Sequence, residues 1–77
     1  MSEPTEVDAR GLRCPLPVIR LAAAARDAPD GTVITLLATD PAARHDVAAW
    51  CRMRGHEYLG EDTAPDGVAR YVVRRLR

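Results

Sequence analysis

Midway along the chain, Thr32-Val33-Ile34-Thr35-Leu36-Leu37-Ala38 forms a continuous run of β-branched and aliphatic residues. That composition belongs to a strand inside a sheet rather than at its margin. A buried strand needs cover, and segments of helical length flank it on both sides. Before it, the apolar, Ala-rich stretch from Val18 to Ala28 is helical by propensity and length, and Pro29-Asp30-Gly31 ends it. After it, Asp40 is expected as an N-cap and Pro41 as the first residue of a second helix. That helix should run to about Arg54, where Gly55 provides the left-handed residue that commonly closes a helix. Arg52 and Arg54 suit its negative C-terminal end. Ala43, Val47, Trp50 and Cys51 fall on one stripe and should face the sheet.

The remaining segments read as strands. Val7 to Ala9 is a short first strand, His56 to Gly60 a third, and Val68 to Leu76 the last, with Pro65-Asp66-Gly67 turning the chain before it. The order is βαβαββ. The expected architecture is an α/β (α+β) two-layer sandwich, a four-stranded mixed sheet with two helices on one face. The 77 residues form one domain, 1–77, in which residues 1–5 are expected to be flexible.

So short a chain restricts its chemistry. Phe is absent and Trp occurs once, so the core must rest on Val, Ile and Leu. An enclosed ligand cavity needs several hundred Å3, so reactions are expected at the surface. Eleven basic residues, all Arg, balance eleven acidic ones. No overall field therefore points to nucleic acid or membrane, and no direct contact with either is expected. The polar start Met1-Ser2-Glu3-Pro4-Thr5-Glu6 lacks the order of a signal peptide, and no apolar run has transmembrane length. A cytoplasmic monomer is expected, with both cysteines as free thiols.

Arg10-Gly11-Leu12-Arg13-Cys14-Pro15-Leu16-Pro17 is the segment that speaks to function. With Cys14 as N-cap, Pro15 and Pro17 would take the first and third helical positions, where a missing amide costs little. The positive helix end, the Leu16 amide, Arg10 and Arg13 would then favour thiolate over thiol and depress the pKa of Cys14. The alternative is a buried structural cysteine whose prolines only start a helix. The residues favour the reactive thiol.

Spacing excludes several thiol chemistries. Pro17 stands where a Cys-x-x-Cys redox site needs its second cysteine. Arg20 follows Cys14 as in a phosphatase loop, but the two prolines delete amides that such a loop uses to bind phosphate. Neither His45 nor His56 lies near Cys14 in sequence to act as a base. What remains is a thiol that exchanges a group with a partner's sulfur.

Val7-Asp8-Ala9-Arg10-Gly11-Leu12-Arg13-Cys14-Pro15-Leu16-Pro17-Val18-Ile19 resembles the Asp-x-x-Gly-Leu-x-Cys-Pro-x-Pro signature of the TusA/SirA-like sulfur carrier family. The stretch from Thr39-Asp40-Pro41-Ala42 through Asp46-Val47 and Trp50-Cys51 to Gly55-His56-Glu57 is similar to the family's second-helix region. The resemblance implies a βαβαββ sandwich and a sulfurtransferase in which Cys14 carries sulfur as a persulfide, with no other cofactor. It implies a cysteine desulfurase or rhodanese-type donor and a downstream acceptor protein, in tRNA thiolation, molybdenum cofactor assembly or sulfur oxidation. Members that serve tRNA thiolation typically have Glu between the prolines, where this chain has Leu16. Asp40 and Arg20 are candidates for partner contact.

Other residues receive plainer readings. Cys51 and Trp50 are expected in the core. His45, Cys51 and His56 have no ligand spacing, so no metal site is expected. Arg70, Arg74, Arg75 and Arg77 would give the last strand a basic, solvated edge. The competing functional class is a non-catalytic redox-sensing or regulatory module that uses the same surface.

Overall fold

The parallel pair on one side of the sheet comes from two strands of unlike composition. β1 (Thr5–Ala9) alternates exposed and covered residues, whereas β2 (Val33–Ala38) ends in three consecutive buried ones. They pair in parallel from Thr5↔Ile34 to Ala9↔Ala38, joined through α1 (Leu16–Asp27). The chain continues through α2 (Ala43–Arg54) to β3 (Glu57–Thr63) and β4 (Ala69–Arg74). β4 enters antiparallel between β2 and β3, so the sheet order is β1-β2-β4-β3. This computed structural model describes residues 5–76. Both helices pack on one face, α1 against β1 and β2, and α2 against β3 and β4. The βαβαββ sandwich is as expected.

Three cross-strand rows build that face. Thr5, Ile34, Val73 and Tyr58 form one, Val7, Leu36, Tyr71 and Glu61 the next, and Ala9, Ala38 and Ala69 the last. Leu21 and Ala25 of α1 and Ala43, Val47, Trp50 and Cys51 of α2 close over them. Burying each Val, Leu or Ile side chain contributes about 1.5–3 kcal/mol, the main stabilising term here. The alanine row lies where β1 and β2 end. Its small side chains let the starts of both helices come close to the sheet.

Several boundaries differ from the expectation. Thr5 pairs with Ile34, so it belongs to β1 rather than to a flexible segment, and residues 1–4 lie outside the described residues. β3 runs on to Thr63 despite its polar sequence, because cross-strand ion pairs support it: Arg70–Asp62 at 2.8 Å and Arg74–Glu57 at 2.9 Å. Those pairs also remove the basic edge. β4 is an interior strand, Arg75 is paired with Asp30, and Arg77 lies outside the described residues. At the end of α2, Gly55 has φ +75°, the left-handed turn expected there. Among the described residues, no helix is long and apolar enough to cross a membrane.

Candidate functional site: a cysteine loop where two helices start

Because β1 and β2 are parallel neighbours, both release the chain at the same end of the sheet, and α1 and α2 begin there. The loop after β1 therefore lies against the loop after β2. Gly11, at φ +80°, adopts a backbone that other residues take only under strain, and its amide donates to Thr39 Oγ1 at 2.9 Å. The Leu12 amide donates to the Ala9 carbonyl at 3.2 Å, and the Leu12 side chain packs onto the core. The Cys14 amide donates to Asp40 Oδ2 at 2.6 Å, while Oδ1 of the same carboxylate accepts from the Ala42 amide at 3.0 Å. Asp40 thus ties the cysteine loop to the approach of α2. Those two amides, with Arg13 nearby, hold its carboxyl below the usual carboxylate range.

Two expectations about helix starts need correction. α1 begins at Leu16, so Pro15 holds the N-cap place and Pro17 the second helical position; Cys14 stands one residue outside, across a cis Cys14–Pro15 peptide. The reason is a turn closed ahead of the helix, in which the Leu16 amide donates to the Arg13 carbonyl at 2.8 Å. That amide is no longer free for the thiol. Asp40 does act as a cap, but on the turn Pro41-Ala42, and α2 starts at Ala43 because the carboxylate is shared with Cys14.

The electrostatics at Cys14 also reverse the expectation. Arg10 is bound at 2.7 Å by both Asp8 and Asp66, and its charge is spent there. The Asp46 carboxylate, in the first turn of α2, is the foremost influence on the thiol: it favours the protonated form, desolvation adds to this, and the charges of Asp46 and Asp40 oppose a thiolate beside them. The Cys14 pKa is therefore raised, not depressed. Nearby carboxylates outweigh a helix end whose field falls off within one turn. Asp46 was not among the candidate residues, although the paired starts of α1 and α2 made its side of the molecule foreseeable.

Around the thiol the surface is mixed. Cys14 is exposed, as are Arg13, Pro15 and Arg20, whereas Pro17 is buried beneath the loop. Leu16 and Ile19 present apolar side chains 45% and 54% exposed, an apolar rim beside the sulfur. Arg20 has no ion-pair partner among the described residues. Gly11, Leu12, Arg13, Thr39, Asp40 and Pro41 line a shallow depression next to the loop. The second cysteine is its opposite. Cys51 is 2% exposed in the core, and burial pushes its thiol up to about 11. Among the described residues, no three His, Cys, Asp or Glu side chains gather so as to hold a metal ion.

Residues 5–75 match the family model described as sulfurtransferase TusA. The sulfur carrier protein TusA of Pseudomonas syringae pv. syringae is 40% identical over 82 residues, covering 97% of this chain and 96% of the relative. That of Pseudomonas savastanoi pv. phaseolicola is 39% identical, with the same coverage of 97% and 96%. The crystal structure of a SirA-like protein from Desulfitobacterium hafniense aligns with a TM-score of 0.79 at 26% identity, over 95% of this chain and 99% of that one. The chain belongs to the TusA family of sulfurtransferases, and the Pseudomonas relatives are named sulfur carriers.

Proposed function

We propose that Cys14 accepts a sulfane sulfur as a persulfide and passes it to a thiol of a partner protein. The observation that carries this reading is the contrast between the two cysteines: Cys14 is exposed on a braced loop, and Cys51 is enclosed by the core. In loading, the Cys14 thiol loses its proton and its sulfur attacks the outer sulfur of a donor persulfide. The donor's S–S bond breaks, its cysteine leaves as a thiolate that takes up a proton, and Cys14 holds S–SH. Transfer is the same exchange, with an acceptor thiolate attacking the sulfur on Cys14.

A cysteine desulfurase or a rhodanese-type protein supplies sulfur in this form. Neither step needs an enclosed substrate cavity or a further cofactor, because each partner brings its own reacting sulfur. Leu16 and Ile19 give a partner apolar contact next to the thiol, and Arg13, Arg20 and Asp40 give it charge to orient on. Leu16 sets the apolar character of that contact, and the acceptor belongs to tRNA thiolation, molybdenum cofactor assembly or sulfur oxidation. The carrier works in the cytoplasm, where reduced thiols persist.

Cys14→Ser should abolish loading and leave the fold intact, because the side chain caps no helix and packs against no core. Intact mass after incubation with a cysteine desulfurase and cysteine reads the loading, and circular dichroism reads the fold. A folded Ser variant that still gains sulfur would overturn the assignment.

A further inference from the structure

At the end of the sandwich away from Cys14, the helices part and leave a cavity of about 350 Å3. The twelve residues of α1 separate the two ends by roughly 18 Å. Ala22, Ala25 and Arg26 of α1 form one wall, Trp50 and Arg54 of α2 another, and His56 and Arg75 the floor. The small side chains of Ala22 and Ala25 leave the space open. Among the described residues, three arginines line it and no carboxylate does.

On the sheet and its flanks, arginine meets carboxylate one for one, in Arg44–Glu61, Arg70–Asp62 and Arg74–Glu57. Arg26 and Arg54 have no ion-pair partner among the described residues. Arg75 is held in place by the Ala25 carbonyl and Asp30 through Nε and Nη1, which leaves Nη2 unused. His56 stacks on Trp50 with ring centroids 4.8 Å apart. Its Nδ1 accepts from the Leu76 amide at 3.2 Å, so a neutral His56 carries its proton on Nε2, as a donor. Helix dipoles account for arginines in the last turns of α1 and α2. They do not account for Arg75 and His56, which arrive from the strand ends.

We propose that this cavity binds a small tetrahedral oxyanion of the phosphate or sulfate class, gripped by Arg26 and Arg54 and seated against Arg75 and His56. Guanidinium groups on three sides match the several acceptor oxygens of such an ion. The volume stands at the small end of ligand sites, room for the ion with its waters or for a small phosphate ester. Among the described residues that line the cavity, the charged groups facing His56 are cations, Arg26 from α1, Arg54 from α2 and Arg75 after β4, the last of them paired with Asp30. Burial, then Arg75 and Arg54, hold its pKa below the ordinary value. A bound anion relieves that repulsion, against the cost of the Leu76 hydrogen bond, which Nδ1 gives up when it is protonated. His56 should then take up a proton on binding, and affinity should rise as pH falls through its midpoint.

The test is a titration of the full chain with sodium sulfate against sodium chloride at matched ionic strength, followed by NMR of the two imidazoles and the Trp50 indole. The expected result is a saturable shift of His56 and Trp50 at millimolar sulfate or below, with the His56 midpoint rising and His45 unmoved. Arg26→Gln and Arg54→Gln should each weaken binding about tenfold or more, the worth of one charge-assisted hydrogen bond, while Arg52→Gln, outside the cavity, leaves it unchanged. A parallel titration with ribose 5-phosphate separates the sources, since an ester ligand binds more tightly than inorganic phosphate and a free ion does not. Shifts that never saturate, or equal losses in the Arg52 and Arg54 variants, would overturn the proposal. So would a response to an Asp/Glu-rich peptide with none to sulfate, because the cavity would then read carboxylates of a protein.

Discussion

Asp46 decides the resting state of Cys14. A carboxylate beside the thiol favours S–H over S⁻, so the free protein holds this proton more tightly than an ordinary cysteine does, and on the proposed mechanism a docked partner must help remove it. Asp46→Asn removes the charge and should lower the Cys14 pKa. Alkylation rate against pH, in a Cys51→Ala background so that one thiol reports, measures the midpoint. A midpoint that does not fall would mean that Asp46 does not hold the proton. The background change costs on the order of 1 kcal/mol for a small core deletion, which the fold should tolerate. Cys14 was legible as the candidate from Cys14-Pro15-Leu16-Pro17, because the two prolines marked a helix start beside it and the spacings of redox, phosphatase and protease sites were missing. Its protonation was not. Arg10 and Arg13 lie beside it in sequence, whereas Asp46 is separated from it by a helix and a strand and arrives only through the fold.

Between elements, Asp40 is the joint, with one oxygen on the cysteine loop and the other on the turn into α2. Its folded-state pKa is lowered by the Cys14 amide first and the Ala42 amide second. A carboxylate whose pKa falls on folding stabilises the native state above its unfolded pKa, about 3.9, and loses that contribution as pH drops through the folded value. Asp40→Ala should therefore lower the urea midpoint at pH 7, and the gap from wild type should narrow progressively below about pH 4. A gap of equal size at both ends of that range would show that the carboxylate charge does no linking. Asp40-Pro41 announced a helix start, and Gly55 its end, from local chemistry alone. The starts moved by one or two residues because each helix is preceded by a turn bonded to something distant. Asp40 serves the neighbouring cysteine loop as well as its own turn.

At the scale of the whole molecule, parallel pairing of β1 with β2 gathers both helix starts at one end of the sheet and both helix finishes at the other. The thiol, its carboxylates and the apolar rim of Leu16 and Ile19 occupy the first end, and the arginine-lined cavity the second. The element order could be read from the punctuation of Pro and Gly around the run from Thr32 to Ala38. The insertion of β4 beside β2 could not, since it depends on which strand finds the open edge. It turned an expected basic edge into an interior strand with paired arginines. The central claim is that one of two cysteines carries the sulfur, and the chain lends itself to a direct test. Trypsin separates residues 14–20 from residues 45–52, each peptide with a single cysteine. Wild-type chain loaded by a desulfurase, alkylated and digested should show one added sulfur on Cys14 in the peptide 14–20, lost on treatment with a reductant, and none on Cys51. Sulfur on Cys51, or on neither peptide, would contradict the account.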